Sequence, residues 1–216
     1  YLVSQMYIDG DVVADANTFQ WITYATSKSV TLLSGTQGPK TVRVRFRDGA
    51  LNESLVATDI VTYDTVAPAS ASLIIAAGAA YTSTTSVALT PGATDATSGM
   101  YQMRFSRCSD FNSAAGACNR TAWVAYDTTY GAYVLTTAGA GTYPVYAQFS
   151  DNASNLTTTN PSAITDSIYY DPTDPSLTSI EIRSNTGAVT EYVNNGSVRV
   201  YLTVTEAESG LDKILI

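Results

Sequence analysis

The octapeptide RFRDGALN (Arg45–Asn52) is written again as QFSDNASN (Gln148–Asn155), with Phe, Asp, Ala and Asn in the same columns. The shared Asp recurs 103 positions on (48 to 151). Extending outward, Gln5-Met6 matches Gln102-Met103, and Trp21 with Tyr24 matches Trp123 with Tyr126. Val42, Val44 and Phe46 match Val145, Ala147 and Phe149, whereas the residues between them, Arg43, Arg45 and Arg47 against Tyr146, Gln148 and Ser150, do not. Alternate residues of a strand share a face. One face therefore recurs and the other does not, which is the pattern of a common core carried on different surfaces.

Asp64-Thr-Val-Ala-Pro68 matches Asp171-Pro-Thr-Asp-Pro175, a proline-stiffened linker after each unit. Beyond the linkers, TSVALTPGATDATSG aligns with GSVRVYLTVTEAESG. The chain thus divides into a partial unit over 1–66, a complete unit over 67–173 and a partial unit over 174–216. The first lacks two opening strands and the third stops as its third strand begins. Because the chain starts at Tyr1, without Met or a signal-peptide pattern, its natural N-terminus is expected upstream.

Composition sets the class. Of 216 residues 45% are hydrophobic and only 14% charged, with 15 Tyr and a wealth of Thr and Val, residues that favour a pleated, half-buried surface. No stretch reads as a long amphipathic helix, so the expectation is all-β. In the complete unit, strands are expected near 70–77, 85–90, 100–107, 121–127, 130–136, 142–150 and 163–170. Seven short strands with turn signals between them suggest a sandwich of two antiparallel sheets. A net charge of −8 argues against nucleic acid, whose binding rests on basic phosphate contacts. No apolar run is long enough to span a membrane as a helix.

The segments MYIDG, WITY, KTVRVRFRDGALNES with YDTVAP, and GTYPVYAQFSDNASN resemble the tandem immunoglobulin-like or fibronectin-III-like repeats of bacterial surface and secreted proteins. The resemblance implies extracellular spacer, adhesion or accessory modules. It also implies a core Trp, here Trp21 and Trp123, and a Tyr at the start of a strand, here Tyr143, which is Lys40 in the first unit. A sugar-stacking platform is the competing role for the Trp–Tyr pairs.

The chain has no histidine, which removes Ser-His-Asp and Cys-His catalysis and every histidine metal site. Its acids sit in linkers and loops with no cleft signature, so no catalytic residue is assigned. The two cysteines, Cys108 and Cys118, flank a polar loop of small residues and are expected to form a disulfide in an oxidising compartment.

Two readings of the repeated phrase remain open. The loops after the second and sixth strands of such a sandwich meet at one pole, where the preceding linker also arrives. Asp64, Asp95 and Asp151 would converge there, and oxygen ligands of this kind select Ca²⁺. Asp171 and Asp174 in the linker, with Glu206 and Glu208 in the following loop, repeat part of the pattern in the third unit. The other reading needs no ion: Asp and Asn make turns by bonding their own backbone.

The sequence is thus expected to be a non-catalytic segment of an extracellular or cell-surface repeat protein: a rod, fibre, sheath or adhesin stalk. Its partners would be neighbouring repeats or like subunits, with strand complementation as one way to assemble. An adhesin or carbohydrate-binding module, with a glycan or protein partner, is the alternative. The cysteine pair gives the first test. The unreduced protein should show no free thiol by mass spectrometry, and reduction should lower stability by about 2–3 kcal/mol through the lost loop restraint.

Overall fold

The computed structural model describes residues 2–111, 118–136, 139–157, 164–188, 192–193, 196–206, 208–211 and 213. The protein is all-β. In the middle unit, β5 (Ala69–Ile75), β7 (Ser86–Thr94) and β10 (Tyr130–Val134) form a three-stranded sheet in the order β10-β7-β5. Against it lies a five-stranded sheet in the order β6-β12-β11-β8-β9, built from β6 (Tyr81–Thr82), β8 (Met100–Ser106), β9 (Val124–Ala125), β11 (Gly141–Asp151) and β12 (Thr165–Tyr170). All pairs are antiparallel except β6 with β12. The short β6 is the one strand the sequence pattern does not signal. A 3₁₀ turn over Ala76–Gly78 carries the chain towards it.

The period of two explains the packing. Along β7, Val87, Leu89, Pro91 and Ala93 are buried while Ser86, Ala88, Thr90 and Thr94 are exposed. Their inward side chains, with Leu73 and Ile75 of β5, meet Met103, Phe105, Val145, Ala147, Phe149 and Ile168 of the facing sheet. Register matters here, because a slip of one residue would turn each inward set to water.

The first unit has one sheet, ordered β2-β1-β3-β4, from β1 (Val3–Gly10), β2 (Trp21–Thr23), β3 (Gly38–Asp48) and β4 (Ala57–Tyr63). It is the counterpart of β9-β8-β11-β12. Met6 faces Phe46 and Ile8 faces Val44, as Met103 faces Phe149 and Phe105 faces Ala147. The third unit contributes the hairpin of β13 (Ser176–Ser184) and β14 (Val198–Thr205), the counterpart of β5 and β7. Ile180 pairs with Leu202 and Ile182 with Val200, as Leu73 pairs with Pro91 and Ile75 with Leu89.

The core differs from expectation at tryptophan. Tyr143 lies in the core cluster, but neither Trp21 nor Trp123 does. Both are half-buried on the outer sheet face, stacked with cations. Arg104 lies 4.5 Å from the Trp123 ring centre and 5.1 Å from that of Phe111. Arg47 and Arg45 lie 4.3 Å and 5.5 Å from Trp21, with Arg45 also 4.5 Å from Tyr7. The short β9 places Trp123 one residue before its first strand position, Val124, which pairs with Met103. Tyr126, not Trp123, reaches the other sheet: its hydroxyl donates to Ala93 O (2.9 Å) and accepts from Ala93 N–H (3.0 Å).

Cys108 and Cys118 are bonded to each other, with Cα atoms 5.1 Å apart, just beyond β8.

The two kinds of aromatic should differ in stability measurements. Phe149→Ala, which empties a fully buried site, should cost about 3–5 kcal/mol. Trp123→Ala removes half-buried surface and a cation–π contact of about 0.5–2 kcal/mol. Denaturant unfolding of the two variants should therefore place Phe149→Ala well below Trp123→Ala.

Candidate metal centre

The repeated phrase folds the same way twice. Asp151 Oδ1 accepts the Asn155 N–H (2.8 Å) and Oδ2 accepts the Asn155 side-chain amide (2.8 Å). Asp48 receives the same pair from Asn52, each at 3.0 Å. The backbone repeats too: Ser154 and Leu51 both have φ +69°, and both donate their N–H to the Asp carbonyl three residues back. The spacing of Asp to Asn is thus the spacing of a carboxylate-capped turn. Asp48 titrates below the ordinary carboxylate value, chiefly because of the Asn52 side chain.

Burial separates the copies. Asp151 is 0% exposed, whereas Asp48 is half-buried and its loop is open to water. Around Asp151 the turn meets two other segments. Asp64 follows β4 in the linker, and Asp95 follows β7. One carboxylate oxygen from each of Asp64, Asp95 and Asp151 lies within 4.8 Å of the others.

Each acid is fixed by N–H donors. Asp95 Oδ1 accepts from the backbone of Thr97 (3.1 Å), Ser98 (2.8 Å) and Gly99 (2.8 Å). Gly99 has φ +78°, a backbone state open to glycine at little cost. Asp64 accepts Val66 N–H at Oδ1 (2.9 Å) and Ser98 N–H at Oδ2 (3.1 Å). The Ser98 side chain, then the Val66 N–H, hold its carboxyl below the usual range. The Asn155 amide also donates to Asp64 O (3.2 Å), tying the linker to the loop after β11.

The second junction is built alike. Asp171 accepts Thr173 N–H (2.9 Å) and Ser209 N–H (3.1 Å). The Ser209 side chain, then the Thr173 N–H, hold its carboxyl below the usual range. Asp171, Glu206 and Glu208 form a second cluster with oxygens within 4.8 Å. One oxygen of Glu206 and one of Glu208 are buried with no hydrogen-bond partner among the described residues. Asp174 and Thr205 line an open groove beside them.

Three carboxylates at this distance repel one another, and a cation relieves the repulsion. The donors are all hard oxygens, the set that suits Ca²⁺. Sequence alignment names all six acids. It does not reveal the Ser98 and Ser209 amides that join linker to loop, although the repeated Ser-Gly at 98–99 and 209–210 marks the place.

No family model matches the chain, and no curated protein matches it. Among solved structures it is similar to a tetra-tandem repeat in the extending region of a large adhesion protein, at 15% identity and a TM-score of 0.33, over 96% of this chain. The chain spans 57% of that one's length.

Removing the shared Asn should expose the difference in burial. Asn155→Ala leaves a buried carboxylate short of a donor and frees Asp64 O, a loss of about 1–3 kcal/mol. Asn52→Ala acts on an open loop and should cost under about 1 kcal/mol by the same reasoning. Chemical denaturation of both variants checks the order.

Proposed function

We propose that the chain is a non-catalytic spacer of an extracellular bacterial repeat protein, in which β-sandwich units are held in line by Ca²⁺ at their junctions. The observation that carries this reading is the recurrence of one junction. At both, a linker Asp accepts a Ser N–H at 3.1 Å from the loop that supplies further acids. A turn needs only its own Asp, and the linker carboxylate is the extra feature. A linker fixed to the next unit by an ion resists bending, which is the property a rod, fibre or stalk requires. The bonded Cys108–Cys118 pair supports an oxidising, extracellular setting. Among the described residues no helix is long and apolar enough to cross a membrane.

A second reading, a carbohydrate-binding or adhesin module, draws on the outward position of Trp123 and Trp21. Arginine already stacks on both rings. Quenching of tryptophan fluorescence by glycans would favour this module over the spacer.

The ion test uses the full chain. Extracellular calcium modules bind with dissociation constants of about 10⁻⁴–10⁻³ M. Ten- to hundredfold excess Ca²⁺ then adds about 1.4–2.7 kcal/mol per site. Melting should rise in Ca²⁺ relative to chelator, and Asp95→Asn, which keeps an oxygen acceptor for the turn, should remove the share due to the first junction. Equal melting in Ca²⁺ and chelator, with no binding heat at millimolar Ca²⁺, would leave the carboxylates as turn caps alone.

A further inference from the structure

We propose that the outer face of the first sheet carries a binding site for a uronate, a sugar ring with a single carboxylate, as a unit of an acidic polysaccharide. Tyr7 and Asp9 of β1, Arg43 and Arg45 of β3, and Val56 just before β4 line a groove of about 400 Å³. That volume is within the range of small-ligand sites. The site goes beyond the spacer reading and needs no junction ion.

Contacts inside the groove hold its donors in place. Arg43 donates its Nε–H to Asp9 Oδ1 at 2.7 Å. The Arg45 guanidinium stacks 4.5 Å from the Tyr7 ring centre and 5.5 Å from that of Trp21. One of its terminal nitrogens lies 3.5 Å from Glu53. Its Nε is buried and has no hydrogen-bond partner among the described residues. A buried donor is costly to leave without an acceptor. A carboxylate supplies one, in the planar geometry that a guanidinium fork matches. Arg43 and Arg45 keep 52% and 36% of their side-chain surface open, so the forks are reachable from solvent.

The acids beside the arginines select among anions. Asp9 and Glu53 repel a dense polyanion, whether polyglutamate, nucleic acid or a heavily sulfated chain. A ring with one carboxylate and several hydroxyls avoids that repulsion. Its carboxylate takes the Arg45 fork, its hydroxyls donate to Asp9 and Glu53, and its C–H face lies on Tyr7 and Val56.

The middle unit folds without this set. Where Asp9 pairs with Arg43 and Tyr7 with Arg45, the same register there holds Ser106 with Tyr146 and Arg104 with Gln148. Its one arginine covers Trp123 and is satisfied, with Nε–H donated to Gln148 Oε1 at 2.8 Å. One arginine is therefore enough to cover the tryptophan. In the first unit Arg47 does so at 4.3 Å, closer than Arg45. Arg43 and Arg45 are surplus to that packing, and together with Asp9 they make the groove.

The experiment is calorimetric titration of the full chain, in chelator, with trigalacturonate, a linear trimer of uronate rings. Binding should saturate and should weaken as salt rises. The methyl-esterified trimer keeps its hydroxyls and loses its charge, and its affinity should be lower by about tenfold or more. Arg45→Gln should lower affinity for the acid by about tenfold or more. Arg45→Lys should not restore it, because an ammonium lacks the fork. Arg104→Gln, on the middle unit, should bind as the wild type does. Thermal melting confirms that the variants fold, and the comparison of acid with ester needs no mutation. Absence of binding at millimolar trimer, equal binding of acid and ester, binding that survives Arg45→Gln, or its loss in Arg104→Gln overturns the proposal. Polyglutamate that binds as tightly as the trimer overturns it as well, since the face would then read charge alone. With chelator present throughout, failure here leaves the junction ion standing, and a chain that ignores Ca²⁺ leaves this site standing.

Discussion

A pleated sheet with apolar side chains on one face must have that face covered. The middle unit meets this constraint within itself, by setting β5, β7 and β10 over β8, β11 and β12. Phe105, Val145 and Phe149 are wholly buried as a result. Polar contacts reinforce that packing. Tyr126 clamps β7 across the gap, and Asp166 takes an amide from β5. The outer faces are released from the constraint and diverge, which lets Arg43, Arg45 and Arg47 stand where Tyr146, Gln148 and Ser150 stand in the next unit.

Covering the face brings three chain segments to one end of the sandwich. The turn after β7 and the turn after β11 each use an Asp to satisfy backbone N–H groups. The linker adds a third, whose carboxylate bonds to the loop of the unit that follows it. Repulsion among carboxylates so placed is the cost of this closeness. Under the proposed spacer reading, a divalent cation bound there would offset that repulsion and stiffen the joint. The second junction keeps the plan with longer side chains, Glu206 and Glu208.

Much of this was legible in the residues. The columns shared by RFRDGALN and QFSDNASN gave the unit length, and the alternation of Val42, Val44 and Phe46 gave the inward face. The six junction acids could be named because each lies where an aligned loop or linker ends. The role of Asp within the phrase could not be decided there, since a turn cap and an ion ligand use the same residue; the structure shows the cap in both copies. Tryptophan misled for a physical reason. Recurrence at equivalent positions marks a conserved packing role, but a planar ring packs as well beneath a guanidinium on an outer face as in a core. The choice depends on where the strand begins, and β9 is only two residues long.

The junction ion is the claim on which the spacer reading turns. Crystals of the chain grown with Tb³⁺, which takes the oxygen sites of Ca²⁺, would locate it by anomalous scattering. The account predicts one peak among the carboxylates of Asp64, Asp95 and Asp151 and another among those of Asp171, Glu206 and Glu208. A map with no peak at either junction would contradict it.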